Sequence, residues 1–140
     1  MIVYADTSVV LKLLIDEPGS DRAERIWDAA AGLVSVSLIT VEGRAALAAA
    51  RRGGRLDAAS HRRAVTVFGE LVDQLALVAV TDEVIAEAAP LAEAHALRGY
   101  DAVHLAAARL SGAQVIASAD TALCDAADQL GLHITNPLVV

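Results

Sequence analysis

The chain has 140 residues, of which 56% are hydrophobic and only 3% aromatic, and its formal net charge is −7. This length predicts one domain, residues 1–140, that buries about two-thirds of its unfolded surface, and the Ala-, Val- and Leu-rich composition favours helices packed on a sheet over an aromatic-rich β-sandwich. The acidic balance argues against a bulk nucleic-acid coat protein, and no apolar run is long enough to span a bilayer.

Apolar runs and chain breaks alternate along the whole chain and predict strands and helices in turn. Residues 2–5 form a short apolar run that is typical of a buried strand. The predicted strands are 2–5, 33–37, 75–80 and 115–117, with 133–135 as a candidate fifth, and the predicted helices are 9–14, 20–31, 38–52, 57–73, 81–97, 100–110 and 121–130. Such alternation predicts an α/β fold with right-handed crossovers and a mostly parallel sheet covered on both faces.

The cysteine content and the N-terminus bear on the compartment. Cys124 is the only cysteine, which excludes an internal disulfide and a cysteine-based metal site. The N-terminus has no basic leader, and Asp6 interrupts its apolar run, so no signal peptide is predicted. The sequence therefore predicts a reducing, cytoplasmic location.

Two aspartates follow predicted strands and open predicted helices. Asp6 comes directly after the first strand, and Asp120 stands in the same position after the strand at 115–117. Because the carboxyl ends of parallel strands emerge at one edge of a sheet, these two side chains can be neighbours. A structural alternative exists for each, since Asp is also a favoured helix N-cap.

Two further acids lie in the first turns of apolar helices. Glu42 shares a helix face with Leu38, Ala45, Ala46 and Ala49, an unusual face for a solvated glutamate. Asp101 begins a helix whose following residues are nearly all apolar. The alternatives are an exposed helix residue for Glu42 and a dipole-compensating acid for Asp101.

Four carboxylates in one cleft need a counter-charge, because without one some of them must take up protons. The chain has a single lysine, Lys12, and no cysteine or paired-histidine ligand set. A hard divalent cation with oxygen ligands, Mg²⁺ or Mn²⁺, is the natural neutraliser. Acidic Mg²⁺ sites of this kind recur in phosphodiester chemistry.

The ordered set of Asp6-Thr7-Ser8, Glu42, RGYDAVHLAAA at 98–108 and SADTAL at 118–123 resembles PIN-domain ribonucleases. Among them it is most similar to the VapC-type toxins of bacterial and archaeal toxin–antitoxin pairs. The resemblance covers essentially the whole chain in order and spacing. The individual motifs are short, but the ordered combination of four acids is specific.

This resemblance implies a three-layer α/β/α PIN-like fold with four to five strands and a Mg²⁺- or Mn²⁺-dependent endoribonuclease. It implies that Asp6 and Asp101 are the principal metal ligands, that Glu42 and Asp120 complete the pocket, and that Ser8 supports the first aspartate. The implied substrate is a structured cellular RNA, transfer RNA or ribosomal RNA, whose cleavage inhibits translation and growth. The implied partners are a second copy, giving a homodimer, and a small antitoxin that covers the active-site groove.

Other residues carry weaker signals. His104 lies one turn from Asp101 and either orients it or is a packed, hydrogen-bonded histidine. Trp27 is expected in the core or at a partner interface, and Cys124 is expected to be buried and inert. Arginines on both sides of the 53–54 turn are either phosphate contacts or a solvated basic edge. These arginines are Arg51, Arg52, Arg55, Arg62 and Arg63.

Three rival functions remain for comparison. A phosphatase with a nucleophilic aspartate at the first strand would have a second Asp at the position that Ser8 occupies. A phospho-receiver domain would have a lysine after a late strand, and none is present there. The third rival is a catalytically silent PIN-like protein-binding module, which the loss of one or more of the four acids would favour.

Overall fold

The computed structural model describes residues 1–139, in which five strands alternate with seven helices. The strands are β1 (Ile2–Ala5), β2 (Gly32–Val36), β3 (Ala76–Val78), β4 (Val115–Ala117) and β5 (His133–Thr135). The helices are α1 (Thr7–Lys12), α2 (Ser20–Ala29), α3 (Ile39–Arg52), α4 (Ala58–Asp73), α5 (Asp82–His95), α6 (Gly99–Ser111) and α7 (Thr121–Gln129).

The strands form one sheet in the order β3-β2-β1-β4-β5, and every neighbouring pair is parallel. The chain moves from β1 to β2 and β3 on one side, then crosses to β4 and β5 on the other. β1 is therefore central, with Tyr4 paired to Val34 in β2 and to Ile116 in β4. The predicted parallel sheet is confirmed, including the candidate fifth strand.

Helices cover both faces of this sheet, as the alternation of side chains along β1 requires. Tyr4 packs in a core cluster with residues of α5, α6 and α7. Val3 and Ala5 point the other way and pack in clusters with residues of α1 to α4. The three-layer α/β/α architecture predicted from the sequence is confirmed. Trp27 packs in the cluster that contains Ala5, so it lies in the core, which is the first of its two predicted positions.

The ends of the elements differ from the predicted ends by a few residues, and one break was misassigned. Gly32 was predicted to end the second helix, but it begins β2 and pairs with Ile2. A side chain at this position would lie 2.6 Å from Cδ1 of Ile2. Gly32 is therefore a strand residue beside the flexible end of the exposed Ile2 side chain, and not a turn residue.

The buried stripe of α3 also differs from the predicted one. It consists of Ile39, Gly43, Leu47 and Ala50, whereas Ala45 and Ala49 are exposed. The prediction was wrong because the face was chosen from apolar residues around Glu42, and α3 is apolar on several sides. Glu42 lies at the edge of the buried stripe, with its side chain partly exposed. None of the helices formed by residues 1–139 has the length and apolar character needed to cross a membrane.

Candidate active site

Successive strands are added on one side of β1 up to β3 and on its other side from β4 onward, and the candidate site lies at the carboxyl ends of the adjacent strands β1 and β4. Ala5 and Ala117 are paired across these strands, and the backbone N–H of Asp6 donates to the carbonyl oxygen of Ala117 at 3.1 Å. Residues 6 and 118 therefore leave the sheet side by side. Parallel α/β sheets commonly place their binding sites at such a switch point.

Asp6 is a buried carboxylate with both oxygens hydrogen-bonded. Its Oδ1 accepts from the hydroxyl of Ser8 at 2.5 Å and from the backbone N–H of Val9 at 3.3 Å, and its Oδ2 accepts from the hydroxyl of Ser118 at 2.6 Å. Only 5% of Asp6 is exposed, and this burial raises the pKa of its carboxyl above the ordinary value. The nearby His104 and the hydrogen bonds oppose that rise. Asp6 is thus both the N-cap of α1 and a buried acid in a polar pocket.

Ser118 links Asp6 to the second strand-end acid. Its hydroxyl oxygen accepts a hydrogen bond from the backbone N–H of Asp120 at 3.0 Å, and its O–H group donates a hydrogen bond to Asp6. Ser8 makes a second link, because its hydroxyl accepts from the backbone N–H of Ala119 at 2.9 Å. Ser118 is the first residue of the SADTAL motif at 118–123, and its contact with Asp6 was not predicted from the sequence. The sequence feature that points to Ser118 is its position directly after the predicted strand at 115–117, two residues before Asp120.

Arg98 joins Asp120 to Asp101. Its Nε donates to Oδ2 of Asp101 at 2.9 Å, and its Nη2 donates to Oδ2 of Asp120 at 3.2 Å. The guanidinium also lies 4.8 Å from the centre of the Tyr100 ring. The hydrogen bond to Asp101 raises the pKa of Arg98 further above its ordinary value, so this side chain is a permanent cation. Arg98 lies between two predicted helices, and its contacts with the acids were not predicted from the sequence.

Glu42 is held by a second group of polar side chains. Its Oε1 accepts from the hydroxyl of Thr7 at 2.9 Å and contacts Nε2 of His104 at 2.6 Å. The other ring nitrogen of His104 lies 2.8 Å from the hydroxyl of Tyr4. A carboxylate only accepts, so we assign the proton to Nε2 and let the Tyr4 hydroxyl donate to Nδ1. Burial raises the pKa of Tyr4, which keeps that hydroxyl protonated.

His104 is therefore a packed, hydrogen-bonded histidine, which is the second of its two predicted roles. It is 2% exposed, and its hydrogen bonds orient Glu42 rather than Asp101. The signal missed in the sequence was Tyr4, which is an inward-facing polar aromatic on the central strand and requires a buried partner.

The four predicted acids belong to two hydrogen-bonded groups that meet at Asp6 and Thr7, and we call these groups together the hydrogen-bonded region. Asp6, Asp120 and Asp101 are connected through Ser118 and Arg98, and Glu42 is tied to Thr7, the residue that follows Asp6. Within residues 1–139, no three His, Cys, Asp or Glu side chains are already grouped around one cation position. The donor chemistry fits Mg²⁺ or Mn²⁺, since the acids and hydroxyls offer only oxygen ligands. Arg98 now supplies the positive charge to two of the acids.

In the part of the chain that the structure describes, the side chains of the remaining predicted residues make no hydrogen bond to the four carboxylates. The five arginines near the 53–54 turn are exposed, and Arg55 pairs with Glu17 at 3.7 Å. Cys124 is buried, and desolvation together with the charges of Asp6 and Asp120 raises its pKa to about 11. Its thiol therefore stays protonated near neutral pH and is a poor nucleophile, as predicted.

Comparison with known proteins gives matches over most of the chain. The family model described as PIN domain matches residues 3–129. Ribonuclease VapC45 of Mycobacterium tuberculosis is 41% identical over 111 residues, which cover 79% of this chain and 77% of that protein. VapC20 of the same species, described as a sarcin-ricin loop cleaving toxin, superposes with a TM-score of 0.69 at 19% identity, over 89% of this chain and 94% of its own.

A toxin–antitoxin complex from Klebsiella pneumoniae contains a second similar structure. It superposes with a TM-score of 0.69 at 14% identity and covers 99% of both chains. At these identities the two solved structures show that the fold is shared. The family match and the mycobacterial relative extend the similarity to the sequence itself.

Proposed function

The chain belongs to the PIN domain family, and on that premise we propose that it is an endoribonuclease that depends on Mg²⁺ or Mn²⁺. The observation that carries this proposal is the buried carboxylate of Asp6 at the β1–β4 switch point, linked through Ser118 and Arg98 to Asp120 and Asp101 and followed in the chain by Thr7, which binds Glu42. If Asp6 were only a helix N-cap, hydrogen bonds from Ser8 and Ser118 to its two carboxylate oxygens would not be needed. The 41% identity to Ribonuclease VapC45 supports the same activity.

Each acid has a defined part in this proposal. Asp6 and Asp101 would be the principal ligands of the cation, and Glu42 and Asp120 would complete the site. A divalent cation bound there would supply Lewis-acid activation of the phosphate and of the attacking water. It would also neutralise a pocket that otherwise repels the negatively charged backbone of RNA.

The chain's own groups prepare these carboxylates. Ser8 and Ser118 donate to Asp6, which fixes its orientation and favours its ionised form against the effect of burial. His104 donates to Glu42 and is itself held by Tyr4. Such supporting hydrogen bonds orient metal ligands and are commonly needed for affinity.

The biological role that we propose is that of a toxin in a toxin–antitoxin pair. The substrate would be a structured RNA, transfer RNA or ribosomal RNA, whose cleavage stops translation and growth. The similarity to VapC20 and to the Klebsiella complex supports this role. The partner would be a small antitoxin that covers the acidic groove, and a basic residue of that partner would neutralise the carboxylates in place of the cation.

RNA cleavage by the purified protein tests this function. We expect a structured RNA to be cut when Mg²⁺ or Mn²⁺ is present and to remain intact in excess EDTA. Asp101→Asn should remove most of the activity. Asp125→Asn is the matched control, because Asp125 is an exposed acid on α7 outside the hydrogen-bonded region, and its activity should equal that of the wild type. Robust cleavage in EDTA would refute the cation dependence. Intact RNA with either metal would favour the protein-binding module instead.

A further inference from the structure

We propose that Arg98 is an internal counter-charge that competes with the divalent cation for Asp101 and Asp120. In the protein without metal the guanidinium holds both carboxylates, and it has to release them before a cation can bind them. This inference rests on the proposed cation site and adds a residue of this chain that regulates its loading.

The geometry of Arg98 suits a bridge between the two acids. Arg98 is the N-cap residue of α6, and it reaches Asp101 in the first turn of that helix and Asp120 at the start of α7. Two different nitrogens of the guanidinium donate, Nε to Asp101 and Nη2 to Asp120. A planar fork of donors serves two carboxylates in this way, whereas a lysine ammonium is a single point charge.

Electrostatics explains why the metal-free site needs such a residue. Carboxylates brought together repel one another unless a positive charge lies between them. Among the ion pairs in the described part of the chain, Arg98 is the only arginine or lysine that pairs with any of the four acids. His104 meets Glu42 on the other side of the site. Arg98 therefore provides the permanent positive charge beside Asp101 and Asp120.

The same contacts are easy to break. The Arg98 side chain is 62% exposed, and exposed ion pairs are weak because water competes for both partners. Its other neighbour, Tyr100, is also exposed. Asp101 and Asp120 are less exposed, with side chains 11% and 26% exposed. Arg98 is therefore the partner that we expect to move when a cation binds.

Removal of Arg98 should therefore have two opposite effects. The protein without metal should become less stable, because Asp101 and Asp120 lose their counter-charge. The affinity for the cation should increase, because no competitor has to be displaced. A residue that only packs on the surface would change neither property, and a residue that only binds the phosphate of RNA would change cleavage without changing the affinity for the cation.

Calorimetric titration of Mn²⁺ into the full chain, without RNA, tests the proposal. We compare wild type, Arg98→Gln and the matched control Arg109→Gln, which removes an exposed arginine of the same helix that pairs with Glu87. The dissociation constant for Mn²⁺ should fall about fivefold or more in Arg98→Gln and stay unchanged in Arg109→Gln. The melting temperature in EDTA should fall in Arg98→Gln, and its rise on adding Mn²⁺ should exceed that of the wild type.

Further outcomes separate this inference from the proposed function. If the wild type binds Mn²⁺ and Arg98→Gln binds it equally or more weakly, the counter-charge role is wrong and the cation site stands. If neither protein binds Mn²⁺, both proposals fail. Arg98→Lys keeps the charge without the fork and should bind Mn²⁺ with intermediate affinity. An affinity equal to that of the wild type would refute competition through the bridging contacts.

Discussion

Asp6 has the least exposed carboxylate of the four acids, and its ionisation has a cost in the protein without metal. Burial raises its pKa above the ordinary value of 3.8, so the folded protein binds this proton at a higher pH than the unfolded chain does. Its contribution to stability is therefore complete below about pH 3.8 and is lost as the pH rises through the elevated pKa. Each unit of such a rise corresponds to about 1.4 kcal/mol of unfolding free energy.

Asp6→Asn should consequently stabilise the metal-free protein at neutral pH. Asn is about as good an N-cap as Asp, so the cap of α1 is kept while the buried charge is removed. We expect a higher melting temperature than that of the wild type in EDTA at pH 7, and the difference should shrink as the pH falls towards 3.8. Thermal melts over a pH series measure this effect.

Asp57→Asn is the control for that experiment. Asp57 is also an N-cap, but it is fully exposed, and the hydrogen bond from the N–H of Ser60 lowers its pKa. The contribution of Asp57 is thus present above its ordinary pKa and lost at lower pH, so its replacement should not stabilise at neutral pH. A lower melting temperature for Asp6→Asn at pH 7 in EDTA would mean that the lost hydrogen bonds outweigh the buried charge.

The acids and Ser8 could be located from the sequence, but the other supporting residues could not be assigned their partners. Asp6 and Asp120 follow apolar runs, and parallel strands bring such positions together, so local patterns predict them. Ser118 and Tyr4 act through partners that lie far away along the chain, and so does Arg98 in its contact with Asp120. Tyr4 and His104, for example, are 100 residues apart and meet only because α6 packs against β1. No local pattern records such a contact.

The packing of α3 against α4 depends on one small residue. Gly43 lies in the buried stripe of α3, and a Cβ added there would come within 2.1 Å of Cζ of Phe68. Phe68 is 2% exposed in the core between the helices, so its ring has little room to move. The sequence could not indicate this contact, because a glycine in a helix gives no hydrophobic signal.

Gly43→Ala should therefore destabilise the protein although it favours helix formation. Overpacking of this kind costs about 1–3 kcal/mol, which outweighs a gain in helix propensity of about 1 kcal/mol. Gly69→Ala on α4 is the matched control, since nothing lies within 4 Å of a Cβ there. Urea unfolding should show a loss for Gly43→Ala and a gain of about 0.5–1 kcal/mol for Gly69→Ala. Equal gains in both variants would show that Phe68 moves aside freely.

Several large apolar side chains are exposed on the surface of the molecule. They lie on several elements and include Val41, Val67, Ile85 and Leu110, each at least 40% exposed. Exposed apolar area of this kind favours association with a second copy or with a partner. The family resemblance implies a homodimer, and the structure of one chain leaves the homodimer a prediction.

We expect the purified chain to form a homodimer at micromolar concentration. Static light scattering measures its mass, and a monomer at high concentration would contradict the expectation.

A saturating amount of the cognate antitoxin should also block RNA cleavage, because its basic residue would neutralise the acidic pocket. Cleavage that continues unchanged with the antitoxin bound would exclude coverage of this groove.

The central claim is that the four acids form one site for a divalent cation. The rise in melting temperature on adding Mn²⁺, measured without RNA, tests this most directly. A cation that binds only the folded state stabilises that state by linkage. The gain in unfolding free energy is about 2.7 kcal/mol when the cation concentration is a hundred times the dissociation constant. The variants for this test are Asp6→Asn, Glu42→Gln, Asp101→Asn and Asp120→Asn. We predict a clear rise for the wild type and a smaller one for each variant, smallest for Asp6→Asn and Asp101→Asn. The absence of a rise in the wild type, or equal rises in all five proteins, would contradict the account.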